Sequence, residues 1–336
     1  AAVAAAVTWR RWAGPVAALA RGRPWRAGAL FGGGLALANF VVGVPLSITR
    51  YAWGRHFGIV TQGVGPWLAD VGKGLAIGTG LSALLGLGVT VAAARAPRRW
   101  WVWVAGGGIA LVCVGTWITP LVVEPLFQRT RPLGDSALAR QITDIARAEG
   151  VDVRTVLVND ASTRTNAANA YVSGYGSSRR IVVYDTLLRD FPRDQVRVVV
   201  AHEVAHVAER HVVWGTALGA AGTVALVLVG FGVAGRGGTE CRDALRVVSR
   251  LAAAVAVAGT LSTPAANLVS RAMEREADRA ALEVTHDPAA AEALFRGFVH
   301  TSLSAPSPPT AVHLWFGTHP SIAERVGTAR RFAGRR

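Results

Sequence analysis

Residues 198–215 read VVVAHEVAHVAERHVVWG. His202 and His206 stand four apart, with Glu203 directly after the first. On an α-helix, residues four apart lie about 40° apart around the axis, so both imidazoles can point at one ion. Zinc accepts neutral imidazole nitrogen, and a catalytic zinc keeps three protein ligands and one open position. Glu203 falls on a neighbouring edge of the helix. A carboxylate there reaches a water at the metal without ligating it, which is the place of a general base. The pattern predicts one Zn2+ per chain, held in part by His202 and His206. The competing reading of the same residues is an apolar helix with two satisfied histidines.

A third ligand is required, and SRAMEREADRAAL (270–282) offers two. Glu274 and Asp278 are one turn apart on one helix face. One carboxylate can ligate the metal while the other binds the far nitrogen of a ligand histidine and fixes its tautomer. Glu276 points elsewhere and reads as a solvated charge. Cys113 and Cys241 make neither a CxxC zinc site nor a disulfide framework. His211, Asp160, Asp185 and Arg164 read as structural. His286, His300 and His313 lack partners at ligand spacing.

The elements that must hold these residues alternate between two textures. Ala27–Ser47, Gly74–Ala94 and Trp101–Val122 are runs without charge, each about the 20 residues that a membrane helix needs. Val212–Ala234 is a fourth and Leu251–Val269 a fifth, with Pro264 and Asn267 predicting a bend or an end there. Between them, 123–211 is charged and mixed. SALARQITDIARAEG (136–150) has helical periodicity, with Ser136 as its cap and Gly150 as its stop. RTVLVND, NAYVSGYGSS and RRIVVYDTLL read as strands. Pro192 and Asp194 suit a helix start, so the helix carrying the histidines is expected from near Phe191. It is expected to continue without a break into the run at Val212, which would set the metal at the membrane surface.

The domain reading follows: a short N-terminal segment (1–26), three membrane helices (27–122), a first catalytic part (123–211), two membrane helices (212–269) and a second catalytic part (270–336). The chain opens on Ala1 rather than Met, and AAVAAAVTWRRW is expected to be the end of a truncated upstream segment. The fold class is mainly α: a multi-pass helical membrane protein with a small α+β zincin-like catalytic domain.

Composition agrees. The chain is 51% hydrophobic and 17% charged, against about 25% charged in ordinary soluble domains. Its net charge of +15 does not indicate nucleic acid. Residues 1–119 hold eleven basic residues and only Asp70 as an acid, beside apolar runs where basic charge anchors topology. Lys73 is the only lysine among 36 basic residues, a bias that suits a GC-rich bacterial genome. The expected partners are a lipid bilayer and a peptide or protein substrate, with no nucleic acid.

Four patches make the chain resemble the integral-membrane zinc metalloproteases of the CAAX prenyl-protease type, with bacterial HtpX proteases as more distant relatives. They are NAYVSGYGSSRRIVVYDTLL (169–188), AHEVAH (201–206), SRAMEREAD (270–278) and THPSIAER (318–325). The resemblance covers most of the chain from about Ala27. It implies a gluzincin site with Glu274 as third ligand and Asp278 behind a ligand histidine, and it brings His319 and Arg325 to the metal. Ala205 departs from it, since the family usually has glycine there. The donors His319 and Arg325 can stabilise an oxyanion. Asn169 and Ala170 fall on an expected edge strand, to which an extended peptide can add by main-chain bonds. The function expected is a metalloendopeptidase acting on membrane-associated, C-terminally apolar or misfolded proteins. The alternative is a non-catalytic scaffold or holdase in which zinc ties two segments together. Loop arginines place the catalytic part outside a bacterial cell membrane, whereas the resemblance places it in the cytoplasm.

Overall fold

The computed structural model describes residues 1–335 apart from 175 and 302, and the backbone only at 117, 120, 121, 136 and 177. Along the chain run α1 (Ala2–Val7), α2 (Trp9–Leu19), α3 (Pro24–His56), α4 (Val64–Arg95), α5 (Trp100–Ile118) and α6 (Glu124–Phe127). Then come β1 (Thr130–Pro132), α7 (Ser136–Ala148), β2 (Thr155–Asn159), β3 (Ala170–Ser173), β4 (Arg180–Tyr184), α8 (Asp185–Asp190) and α9 (Arg193–Ala208). α10 (His211–Ala234), α11 (Cys241–Thr285), α12 (Pro288–Thr301), α13 (Thr310–Phe316) and α14 (Ile322–Ala333) complete it. The helices α3, α4, α10 and α11 are long and apolar enough to cross a bilayer, and α5 carries a shorter apolar stretch, Trp100–Thr116. The third expected run is thus shorter as an α-helix. A π-helical turn at Thr119–Val123 takes over where Pro120 has no N–H for the α ladder.

Two compact units are present. One comprises residues 1–52, 63–115 and 216–262. Its packing depends on small residues in long helices. A Cβ on Gly28 would sit 2.1 Å from Thr90 Oγ1 and 2.2 Å from the Gly86 carbonyl oxygen, so α3 and α4 touch backbone to backbone there. Trp100 is fully buried, and its Nε1 donates to the carbonyl of Gly235 at 3.0 Å. Arg246 donates to the carbonyls of Ala234 and Arg236, which satisfies the frayed end of α10.

The other unit comprises 53–62, 116–215 and 263–336. It contains a four-stranded sheet in the order β1-β2-β4-β3, with β2 and β4 parallel and both outer pairs antiparallel. β3 is therefore an edge strand. The core gathers Ile142, Ile181, Val183, Leu187, Val198, Val200, Leu282 and Leu294 from the sheet and from α7–α9, α11 and α12. β1 had no signal in the sequence because all three of its residues are exposed. The run DTLL forms α8 rather than prolonging β4, since Asp185 turns its carboxylate to Ser162, binding the backbone N–H at 2.9 Å and the hydroxyl at 2.5 Å. The turn expected after β3 includes Tyr175, which lies outside the described residues.

Several helix ends depart from the reading by spacing. Asp135, not Ser136, caps α7, accepting from the N–H groups of Ala137 and Leu138. The other end of α7 is a Schellman turn: Gly150 has φ +70°, and the Val151 N–H reaches the Ala146 carbonyl at 2.8 Å. α11 neither ends nor breaks at Pro264 but runs 45 residues. Pro264 costs one ladder bond, and Asn267, read as a stop signal, instead sends its amide to the carbonyls of Leu314 and Trp315 at 3.1 and 2.9 Å.

The expectation of one unbroken helix from Pro192 past Val212 is corrected. α9 ends at Ala208, and α10 begins at His211. Between them Arg210 adopts φ +57°. A left-handed residue with a Cβ costs about 1–2 kcal/mol and re-aims the chain, which hydropathy alone cannot reveal.

Candidate active site

α9 carries His202, Glu203 and His206, and α11 carries Glu274 and Asp278. The Nε2 atoms of His202 and His206 lie 3.2 Å apart. His202 Nε2 is 3.1 Å from Glu274 Oε2, and His206 Nε2 is 3.6 Å from Glu274 Oε1. His202, His206 and Glu274 each bring one ligand atom within 4.8 Å of the others, the only such metal-ligating group among the described residues. Glu274 Oε2 is buried, and its only neighbours at ion-pair distance among the described residues are the ring nitrogens of His202 and His319. A buried carboxylate oxygen in that state is costly unless a cation completes it, so the donor set fits a divalent metal. Two neutral imidazoles and one carboxylate suit zinc.

Electrostatics point the same way. Burial works against a proton on His202, yet the carboxylates of Asp278 and Glu274 prevail and push its pKa up to about 9. The field that recruits a proton also recruits a metal ion. Burial, then the charge on His202, holds His206 down at about 4, in the neutral form that ligates. Burial raises Glu203 to about 7, with the Glu274 charge adding to it and the His202 charge opposing it. A carboxylate so placed exchanges protons near neutral pH.

Asp278 sits behind His202, with Oδ1 3.0 Å from Nδ1. Arg325 of α14 grips the same carboxylate with two nitrogens, Nε donating to Oδ2 at 2.8 Å and Nη2 to Oδ1. Its guanidinium also lies over the Phe295 ring, 4.2 Å from the centroid. Arg325 is therefore committed to Asp278 and buried, whereas His319 is about half exposed. His319 Nε2 is 3.4 Å from Glu274 Oε2, and its Nδ1 is 2.9 Å from the Thr318 hydroxyl. The loop before His319 is held by α11: Arg271 Nη1 donates to the carbonyls of His313 and Gly317 at 3.1 and 2.5 Å, one turn along from Asn267.

The groove beside this cluster follows β3. The Asn169 carbonyl accepts from Tyr184 N–H at 2.9 Å, so Asn169 faces β4. By the alternation of an antiparallel ladder, the N–H and C=O of Ala170 face away from β4, toward the sheet edge. On one side of that point opens a cavity of mixed lining, about 470 Å³, with Val199, Phe298, Phe316 and Ile322 among its apolar residues and Asn169, Glu203, His313, His319, Ser321 and Arg325 among its polar ones. On the other side a cavity of about 200 Å³ is bordered by Tyr171, Glu124, Arg179, His206 and Arg210.

Of the residues expected from the sequence, the structure gathers His202, His206, Glu274, Asp278, His319 and Arg325 in one cluster, with Glu203 and Asn169 lining the cavity beside it and Ala170 next to Asn169 on β3. Three groups had no sequence signal: Phe298 on α12, the Asn267–Arg271 clamp, and His211. The His211 Nδ1 stands 2.9 Å from His206 Nδ1.

Residues 132–333 match the model of peptidase family M48, and residues 4–129 match that of the CAAX prenyl protease N-terminal region with five membrane helices. An uncharacterized metalloprotease of Bacillus subtilis, YhfN, is 28% identical over 309 residues, 88% of this chain and 72% of that one. CAAX prenyl protease 1 of Saccharomyces cerevisiae is 35% identical over 97 residues, 29% of this chain and 21% of that one. The crystal structure of S. mikatae Ste24p shares the fold, with a TM-score of 0.79 at 21% identity over 90% of this chain and 75% of that chain. The convergent ligand group, the apolar spanning helices and these matches agree: the chain belongs to peptidase family M48 and is an integral-membrane metalloprotease.

Proposed function

We propose that the chain is a zinc-dependent endopeptidase that cleaves membrane-associated proteins presented as an extended segment along β3. The observation that carries this reading is the convergence of His202, His206 and Glu274, with Glu203 on the wall of a groove beside an edge strand. The three ligands would hold zinc, with Asp278 behind His202. When bound, zinc acidifies water and polarises the scissile carbonyl. Glu203 removes a proton from the attacking water and later delivers it to the leaving amine. His319 donates to the developing oxyanion. Arg325 acts through Asp278, fixing that carboxylate against His202 rather than touching substrate.

Ala170 offers main-chain groups to the substrate, and the Asn169 side chain borders the cavity next to it. Antiparallel addition is the better-bonded mode. It runs the substrate from the Ser173 end of β3 toward Asn169, so the residue after the scissile bond enters the larger cavity. An apolar residue there is what a CAAX-type C-terminus supplies, and it equally suits a segment of a misfolded membrane protein. Apolar helices long enough to cross a bilayer favour substrates that are themselves membrane-associated, in a bacterial cell membrane.

The test is Glu203→Gln. It retains one zinc per chain by elemental analysis and cleaves a quenched peptide at least 1,000-fold more slowly, about 4 kcal/mol of transition-state stabilisation. Cleavage within tenfold of the parent removes Glu203 from the reaction. A cellular phenotype that survives Glu203→Gln but not His202→Ala makes zinc a structural tie.

A further inference from the structure

The arrangement around His206 asks where its second ring nitrogen goes. Its Nε2 faces His202 Nε2 and Glu274, so Nε2 must keep its lone pair for the metal and Nδ1 must carry the proton. Nδ1 meets the Nδ1 of His211 at 2.9 Å, with the two rings near-perpendicular and their centroids 5.0 Å apart. One proton serves this contact, and His206 supplies it. His211 then accepts on Nδ1 and carries its own proton on Nε2, which points at Glu276 Oε2, 3.2 Å away. A neutral pair has one consistent arrangement: Glu276 accepts from His211, and His211 accepts from His206.

This contact cannot arise on a continuous helix, where the fifth residue along is turned about 140° away. It exists because Arg210 takes the left-handed conformation and restarts the helix at His211. A strained residue next to a cluster of this kind marks a position that the surrounding structure holds in place. His211 is also buried, with a side chain only 6% exposed, while Glu276 is largely in solvent. A buried imidazole with both nitrogens engaged is a built contact.

We infer that His211 and Glu276 are positioning residues for the metal site, a histidine–carboxylate relay that fixes the tautomer and ring orientation of His206. Asp278 does the same for His202 directly. The two ligand histidines are thereby held differently, one by a buried carboxylate and the other by an imidazole backed by an exposed one. The inference rests on the reading of His206 as a ligand.

The test compares the full-length parent with His211→Phe, His211→Asn, Glu276→Gln and His206→Ala. Zinc affinity is measured by chelator competition, the visible spectrum of the cobalt-loaded protein is recorded, and the thermal midpoint of the metal-free protein is followed. The relay predicts a 10- to 100-fold loss of zinc affinity in His211→Phe and a changed cobalt spectrum. His211→Asn, whose carbonyl can accept from His206 and whose amide can donate to Glu276, recovers most of the loss. Glu276→Gln, an exposed change that leaves folding intact, loses affinity to a smaller degree. Metal-free midpoints stay within about 2 °C of the parent. Zinc affinity within twofold of the parent in both His211→Phe and Glu276→Gln overturns the relay, as does an affinity loss matched by a fall in the metal-free midpoint. His206→Ala separates the two readings. If it binds zinc like the parent, the ligand assignment fails; if it loses zinc while His211→Phe does not, only the relay fails.

Discussion

The cavity beside Glu203 sets a quantitative expectation for specificity. It offers about 470 Å³, with Val199, Phe298, Phe316 and Ile322 on its apolar side and His313, Ser321 and Arg325 on its polar side. Consider peptides that differ only in the residue after the scissile bond. Leucine carries three more carbons than alanine, and burial contributes about 0.8 kcal/mol for each. Full burial of the difference amounts to about 2.4 kcal/mol, or about 50-fold in kcat/KM at 1.4 kcal/mol per decade. Aspartate in the same place forfeits this apolar contribution and is cleaved no faster than the Ala peptide. The assay is kcat/KM for quenched-fluorescence peptides with Ala, Val, Leu, Phe and Asp at that position, on the zinc-loaded protein in detergent. Phe298→Ala enlarges the cavity and raises the ratio of the Phe to the Leu substrate. A Leu-to-Ala ratio below about 3, or cleavage of the Asp peptide at the Leu rate, refutes the assignment of this cavity to the residue after the bond.

Three further outcomes follow from the geometry. Asp278→Asn removes the negative charge that Arg325 and His202 share, so zinc affinity falls 10- to 100-fold and stability falls by about 3–5 kcal/mol, read by chelator competition and by denaturant unfolding. Gly32→Val puts a branched side chain where even a Cβ would lie 2.0 Å from the Ser82 carbonyl oxygen, and the thermal midpoint drops by the equivalent of about 1–3 kcal/mol or more; Gly34→Ala, with nothing within 4 Å, leaves it unchanged or raises it. Burial, with the Glu209 charge adding to it, lifts the Glu149 carboxyl to about 7 in the folded protein. Between the ordinary carboxylate range and that value the folded state binds a proton that the unfolded chain does not. Stability is therefore lost as pH rises through the window. Glu149→Gln removes this loss, so its advantage over the parent in thermal unfolding is larger at pH 8 than at pH 5; equal differences at the two pH values disprove the linkage.

The sequence by itself determined what depends on neighbours along one helix. The four-residue spacing of His202 and His206 sets their angular phase, and the four-residue spacing of Glu274 and Asp278 does the same on α11. Long runs without charge announce helices that shed water. The run at Ala170–Ser173 was legible as a strand from its residue types, although its burial does not alternate. Local capping was less secure, since Asp135 and Ser136 are both good caps and only the path of the chain chooses between them.

Tertiary structure decided which groups share space. The roles of Arg325 and His319 separate only when Arg325 is seen bound to Asp278. The apolar side of the cavity includes Phe298, on a helix with no motif. Pro264 and Asn267 signalled a helix end because propensity counts only local costs. Asn267 is instead engaged by carbonyls almost fifty residues away, which offsets that cost. His211 shows the limit most sharply. Five residues from His206, it has the wrong phase for any continuous helix, and one left-handed arginine resets that phase. Spacing predicts contact only while the backbone repeats; a single change of φ ends the repeat, and packing, not local sequence, stabilises that change.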